Sequence, residues 1–276
     1  MGMMNGELVL VRGAGDLATA TILRLVRSGF RVAALESALP SSIRRTVCLS
    51  EAMYDGQAEV EGVQAVRAGT PEELLAMLEV FGPSGPVPLF EDPSCKVLQQ
   101  LQPLALVDAI IAKRNLGTRI DMAPVVVALG PGFEASIDAH AVVETNRGHD
   151  LGRVLLRGCA EPNTGTPGLI AGRSFERVLH TPVAGVVENL KAIGDAVQAG
   201  EAVLAVDGPD GRVELAASID GMLRGLIRPG YRARAGLKVA DVDPRGRREH
   251  CFTVSDKGRA IAGGVLEAIL SLGTRG

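Results

Sequence analysis

The sequence predicts an α/β fold. A parallel sheet with flanking helices fills the N-terminal half, and a β-rich C-terminal half contains an internal repeat and closes with a helix. Three observations predict it. Apolar runs of strand length alternate with segments of helical period from residue 7 to residue 111. A glycine turn, Gly13-Ala14-Gly15, separates the first strand from the first helix. Residues 182–207 and 218–243 align at a constant offset of 36.

The first strand is Glu7–Arg12. From Asp16 to Ser28 the apolar positions Leu17, Ala20, Ile22, Leu23 and Val26 recur at helical spacing, and Gly29 is the expected C-cap. Phe30–Leu35 is the second strand, ending in Glu36. Strand, glycine turn, helix, strand, acid is the G-x-G-x-x-A form of the dinucleotide fingerprint, so the N-terminal domain reads as Rossmann-like. Gly13, Gly15 and Ala18 would let a pyrophosphate approach the helix N-terminus, and Glu36 would hold a ribose hydroxyl. Two readings of Asp16 stand. It is either a helix N-terminal residue that repels a pyrophosphate, or a group sharing a metal ion or a proton with the ligand.

Arg44 and Arg45 form a candidate anion clamp in the next loop. Glu61-Gly62 turns between short strands, and Thr70-Pro71 opens a helix through Phe81. Val87–Phe90, Pro93–Leu101 and Leu104–Ile111 follow as strand, helix, strand. The run Val107–Asn115 reads as a buried strand ending in Lys113, Arg114 and Asn115, where an anionic ligand would bind. Pro124–Leu129 is a further strand, and Gly130-Pro131-Gly132 exposes backbone N–H groups after it.

Ala139–Asn146 alternates as a strand would, placing His140, Glu144 and Asn146 on one face. His140, Glu144 and His149 are candidate metal ligands, and Arg147-Gly148-His149 is a cationic turn with room for a phosphate. Asp243–Arg248 is a basic turn, and Ser255-Asp256 caps a helix through Leu272 whose stripe is Ile261, Val265, Leu266, Ile269 and Leu270. The expected organisation is 1–122, a nucleotide-binding domain; 123–176, a central polar β segment; 177–245, the repeat; and 246–276, a strand and helix.

Composition narrows the function. The chain has 276 residues, 46% of them hydrophobic, enough for a sizeable core. Only 3% are aromatic, none is tryptophan and the net charge is −3, which argues against nucleic acid as a partner. No apolar run has the length of a membrane span, and Met1–Glu7 lacks the basic and apolar regions of a signal peptide. Cys48, Cys95, Cys159 and Cys251 stand apart, without C-x-x-C spacing, as expected of reduced thiols. The expectation is a cytoplasmic protein without membrane contact. Cys251 beside His250 is a candidate reactive thiol.

The blocks Val11–Thr19, Ile43–Thr46, Asp108–Asn115, Val143–Gly152, Glu161–Gly165 and Phe252–Lys257 resemble the accessory proteins of the selenium-dependent molybdenum hydroxylase system. The resemblance covers nearly the whole chain. A more distant similarity links its opening to the Rossmann domain of the xanthine dehydrogenase accessory (XdhC-type) proteins. The resemblance implies a maturation role, a molybdenum hydroxylase as partner, and a nucleotide or molybdopterin-type phosphate as ligand; it supplies no catalytic residue. The repeat resembles the biotinyl/lipoyl barrel-sandwich family, including Ile193–Gly200. The hairpin Asp207–Arg212 has no lysine for biotin or lipoate attachment, which leaves a structural or docking role. The alternatives are an NAD-dependent oxidoreductase, resting on Gly13, Gly15, Ala18 and Glu36, and a non-enzymatic scaffold. The sequence leaves open whether the chain is an enzyme and whether it forms a homo-oligomer.

Overall fold

The structure, a computed structural model, describes residues 6–273. Most of the stretch read for a leader lies outside those residues. The chain divides into two compact units, the first drawn from Met1–Pro40, Cys48–Thr164 and Val254–Gly276, the second from Ser41–Val47 and Gly165–Thr253.

In the first unit β1 (Leu8–Arg12) leads through α1 (Asp16–Arg27) to β2 (Arg31–Glu36). A single turn, α2 (Ala52–Asp55), precedes the hairpin of β3 (Gln57–Val60) and β4 (Val63–Ala68), followed by α3 (Pro71–Val80), β5 (Val87–Glu91), α4 (Leu98–Leu101) and β6 (Ala105–Asp108). Then come β7 (Val125–Leu129), β8 (Glu134–Ala135), β9 (Ala141–Val143), β10 (Val154–Leu155) and β11 (Gly158–Cys159). The nine-stranded sheet runs β10-β9-β7-β6-β1-β2-β5-β4-β3, parallel from β9 to β4 and antiparallel at both edges. β1, β6 and β7 are buried along their whole length, as central parallel strands require. Thr70 caps α3 by accepting from the Glu73 N–H, with Pro71 at its first position.

Several expectations are corrected here. The sheet is large and mixed, and it extends past the N-terminal half to residue 155. The β6–β7 and β7–β9 connections carry no α-helix, only a 3-10 turn at Ile120–Met122, so the doubly wound Rossmann pattern is not followed there. The helix expected over Pro93–Leu101 shrinks to one turn, and β6 stops at Asp108 instead of running to Asn115. Beyond Asp108 the backbone turns left-handed at Ile111 (φ 57°) and Lys113 (φ 62°), which no strand accommodates. β9 ends at Val143, so His140, Glu144 and Asn146 do not share a strand face.

The sequence-distant helix α5 (Asp256–Gly273, the fifth helix) packs along α1. Gly258 permits this: a Cβ there would lie 2.9 Å from the Ala20 Cβ. Ile261, Ala262, Val265, Ala268 and Ile269 form its buried stripe, while Leu270 faces outward.

The second unit contains β12 (Val178–His180), β13 (Gly185–Asn189), β14 (Ala196–Val197), β15 (Ala202–Gly208), β16 (Gly211–Ala216), β17 (Gly221–Leu226), β18 (Arg232–Ala233) and β19 (Lys238–Asp243). They form two four-stranded antiparallel sheets, β12-β19-β17-β14 and β16-β15-β13-β18. The repeat offset carries β13, β14 and β15 onto β17, β18 and β19, and each copy lends its short middle strand to the other copy's sheet. Leu179, Val187, Val203, Leu204, Leu223, Leu226 and Val239 belong to one core between them. The unit is described by these two sheets, and the barrel-sandwich family expected from the resemblance is not kept.

Candidate functional site

The chain leaves β1 towards β2 on one side and returns to β6 on the other. The loops after β1 and β6 therefore diverge, and in open α/β sheets ligands bind at such a divergence, beyond the carboxyl ends of the strands. Around it stand Gly13–Asp16, the loop 109–119, the turns after β7 and β9, and the first turn of α5.

Its floor is a buried polar network. Arg12, 2% exposed, donates from Nη1 to Asp108 Oδ2 (3.1 Å) and to Thr118 Oγ1, and from Nη2 to the Pro93 carbonyl (2.9 Å). Thr118 Oγ1 in turn donates to Asp108 Oδ2 at 2.6 Å. Cys95 lies near Arg12, Asp92 and Asp108, but burial pushes its thiol up to about 11. It is inert at neutral pH.

Gly13 has φ 99°, and a Cβ there would meet the Ala109 carbonyl at 3.1 Å, so the two loops touch through backbone. Glu36 does not point a free carboxylate at a ribose. Its Oε2 accepts from the Ala14 N–H (2.8 Å) and its Oε1 from the Ser37 N–H (2.8 Å) and hydroxyl (3.1 Å). Gly15 is the N-cap of α1, Asp16 occupies its first turn, and Ala18 is buried within it.

In the following loop Lys113 and Arg114 are exposed. Asn115 is a turn-former: its Oδ1 accepts from the Gly117 and Thr118 N–H groups, and its Nδ2 donates to the Thr118 carbonyl and to Asp138. Gly132 (φ 104°) sits against the backbone of Arg114, whose Cα would be 2.5 Å from an added Cβ. The space that Gly132 frees is filled by the chain itself. Gly130 is likewise left-handed, at φ 74°, and faces the Thr145 side chain.

After β9, Glu144 is 4% exposed and ties two loops together by accepting from the Asn146 N–H (2.6 Å) and the Glu161 N–H (2.8 Å). The Asn146 side chain donates to Glu161. Arg147 makes a two-pronged ion pair with Asp256 of α5, both bonds 2.8 Å. The next residue, Lys257, is half-buried and within electrostatic range of Arg147, Asp16, Glu144 and Lys113. Among the described residues neither Lys257 nor Lys113 has a carboxylate within ion-pair distance. Burial first, then Arg147 and Lys113, push the Lys257 amine below the ordinary lysine range, against the pull of Asp16 and Glu144.

The remaining candidates lie elsewhere or are otherwise engaged. Arg44 and Arg45 belong to the second unit, where Arg44 donates to the His250 and Thr253 carbonyls and Arg45 to the Leu226 carbonyl. His140 Nδ1 accepts from the Val126 N–H at 3.0 Å, and burial lowers its pKa, so it is a neutral backbone acceptor. His149 is exposed, and no group of three or more His, Cys, Asp or Glu among the described residues is placed to hold a metal. Cys251 is fully buried and its thiol is pushed up by that burial. Sequence reasoning missed Lys257. A lysine in the first turn of a helix, against the dipole's preference, was the available signal.

No protein-family model matches the chain. An uncharacterized protein of Escherichia coli strain K12, YqeB, is 47% identical over 266 residues, which is 96% of this chain and 48% of that protein. The chain thus spans about half the length of this curated relative. Solved structures found similar include a succinylglutamate desuccinylase from Silicibacter sp. TM1040 (15% identical, 86% of this chain and 85% of that one, TM-score 0.27). Others are a succinylglutamate desuccinylase/aspartoacylase from Rhodobacter sphaeroides (15%, 86% and 84%, TM-score 0.29) and an aspartoacylase family protein from Mesorhizobium loti (14%, 86% and 84%, TM-score 0.28).

At these TM-scores the chemistry of the hydrolases is not carried to this chain. The relatives named also lend no support to the earlier expectations. The curated one has no assigned function and the solved ones are desuccinylases and aspartoacylases; none is an accessory protein of a molybdenum hydroxylase or of xanthine dehydrogenase, or a biotinyl or lipoyl carrier. The maturation role and the hydroxylase partner are therefore withdrawn. So is the dinucleotide oxidoreductase, whose acid Glu36 is tied to its own loop. No helix among the described residues is long and apolar enough to cross a membrane.

Proposed function

We propose that the first unit binds a small anionic ligand, with a phosphate group of nucleotide or pterin type as the anion, at the carboxyl edge of its sheet. One observation carries the reading: Lys113, Arg147 and Lys257 gather beside the N-terminal turn of α1, two of them without a carboxylate partner among the described residues. Each contribution is unfavourable without a ligand. A lysine in the first turn of α5 opposes the helix dipole, and three cations in one neighbourhood repel. An anion reverses the sign of both terms, and charge-assisted hydrogen bonds to phosphate add to the gain. Asp16 and Glu144 moderate the potential, which favours a ligand that also offers hydrogen-bond donors.

The test is thermal unfolding with inorganic phosphate, pyrophosphate and ATP against chloride at matched ionic strength. Phosphate compounds should raise the melting temperature in a saturable way. Lys257→Ala and Lys113→Ala should each weaken the response about tenfold or more, since a charged hydrogen bond contributes roughly 1.5–3 kcal/mol. Equal responses to chloride and phosphate would end the proposal.

A further inference from the structure

Lys257 differs from its two cationic neighbours. Arg147 is held by Asp256 through two 2.8 Å bonds, and Lys113 is exposed on a loop. The Lys257 amine is half-buried on a rigid helix and makes no ion pair or side-chain hydrogen bond among the described residues. The backbone beneath it is fixed on both sides. Gly258 is pressed against Ala20 of α1, and the Val254 N–H is held by Glu61 Oε1 at 2.8 Å. The amine is therefore presented from a fixed point near Arg147 and Lys113.

We propose that Lys257 is a covalent attachment site for an aldehyde or ketone that carries a phosphate group. The inference rests on the anion-site reading above. Arg147, Lys113 and the first turn of α1 hold the phosphate, which tethers the carbonyl at the amine and replaces a bimolecular encounter with a local one. The neutral amine attacks the carbonyl carbon and the C=O π bond opens. An amine proton passes to that oxygen, which takes one further proton from solvent and leaves as water while the nitrogen lone pair forms the C=N bond of a protonated imine; no oxidant or reductant is needed. Burial and the neighbouring cations lower the amine's pKa and so raise the share of the neutral, nucleophilic form.

The chain has only five lysines, Lys96, Lys113, Lys191, Lys238 and Lys257, so the site of an adduct is readily mapped. Pyridoxal 5′-phosphate is the probe, reduced in place with borohydride and located by peptide mass spectrometry; pyridoxal without the phosphate is the control. Labelling should fall on Lys257 at least tenfold above any other lysine, be competed by inorganic phosphate, and be lost in Lys257→Arg. Lys113→Ala should weaken capture while leaving the adduct on Lys257. Even labelling of all five lysines, or equal labelling by pyridoxal, overturns the inference. A phosphate-dependent melting shift without an adduct at Lys257 would overturn it while leaving the anion site intact. Absence of both would remove the two together.

Discussion

Arg12 and Asp108 are the residues on which the site's floor depends. They are 2% exposed each, on adjacent central strands, and Thr118 closes the triangle. Replacing either partner alone strands a charge in the core, a loss of about 3–5 kcal/mol. Arg12→Met and Asp108→Asn should each lower the urea midpoint by a corresponding amount, whereas Lys257→Ala, at a half-buried position, should hardly move it. The contrast separates residues that hold the fold from those that meet a ligand. Sequence disclosed these groups unevenly. Lys113, Arg147 and Asp16 were legible because they follow apolar runs that end at the sheet's carboxyl edge. Lys257 was not, since it lies 110 positions beyond Arg147 in a helix whose partner cannot be read from local spacing. Spacing places the acid Glu36 near a glycine turn but cannot show that its carboxylate already accepts from Ala14 and Ser37.

Among the elements, α1 and α5 carry the arrangement. Gly264 lies so close to the Gly152 carbonyl that a Cβ would overlap it, and it also meets Val143 Cγ1 at 2.9 Å. Gly264→Ala should therefore destabilise the first unit by roughly 1–3 kcal/mol, measured by denaturant unfolding, and should shift Lys257 enough to weaken phosphate binding. Gly263→Ala, where an added Cβ meets nothing within 4 Å, is the matched control and should leave both unchanged or slightly improved. Elements with strong local signals fall where periodicity puts them: β1, α1, β2 and the capped α3. The failures share a cause. β6 and β9 are shorter than their apolar runs because left-handed residues and side-chain clamps end them, and α4 is one turn because Asp92 accepts from the Val97 N–H and organises the segment before it as a turn.

At the scale of the molecule the second unit carries a built-in response to acid. In the second unit Asp243 is wholly buried. Burial works to raise its pKa, but hydrogen bonds from Arg245 and the charges of Arg224 and Arg245 outweigh it and hold the carboxyl at about 2. A folded pKa below the unfolded value near 3.8 means that its contribution, roughly 2 kcal/mol, is complete above pH 4–5 and is lost as pH falls towards 2. The second unit should thus lose stability over that window in an acid titration followed by circular dichroism, and Asp243→Asn should remove most of the window's slope. Of the whole architecture, sequence revealed the alternation and the 36-residue repeat, since both are local patterns. It did not reveal that the last helix returns to the first unit, because that pairing depends on α1 and α5 meeting through Gly258 and Ala20, far apart in the chain.

Calorimetric titration of inorganic phosphate and pyrophosphate into the folded chain decides whether Lys113, Arg147 and Lys257 form an anion site. Saturable binding is expected, weakening as salt rises and reduced at least tenfold by Lys257→Ala in a protein of unchanged urea midpoint. Binding of equal strength in the variant lacking all three cations, or no binding by the wild-type chain at millimolar phosphate, would contradict it.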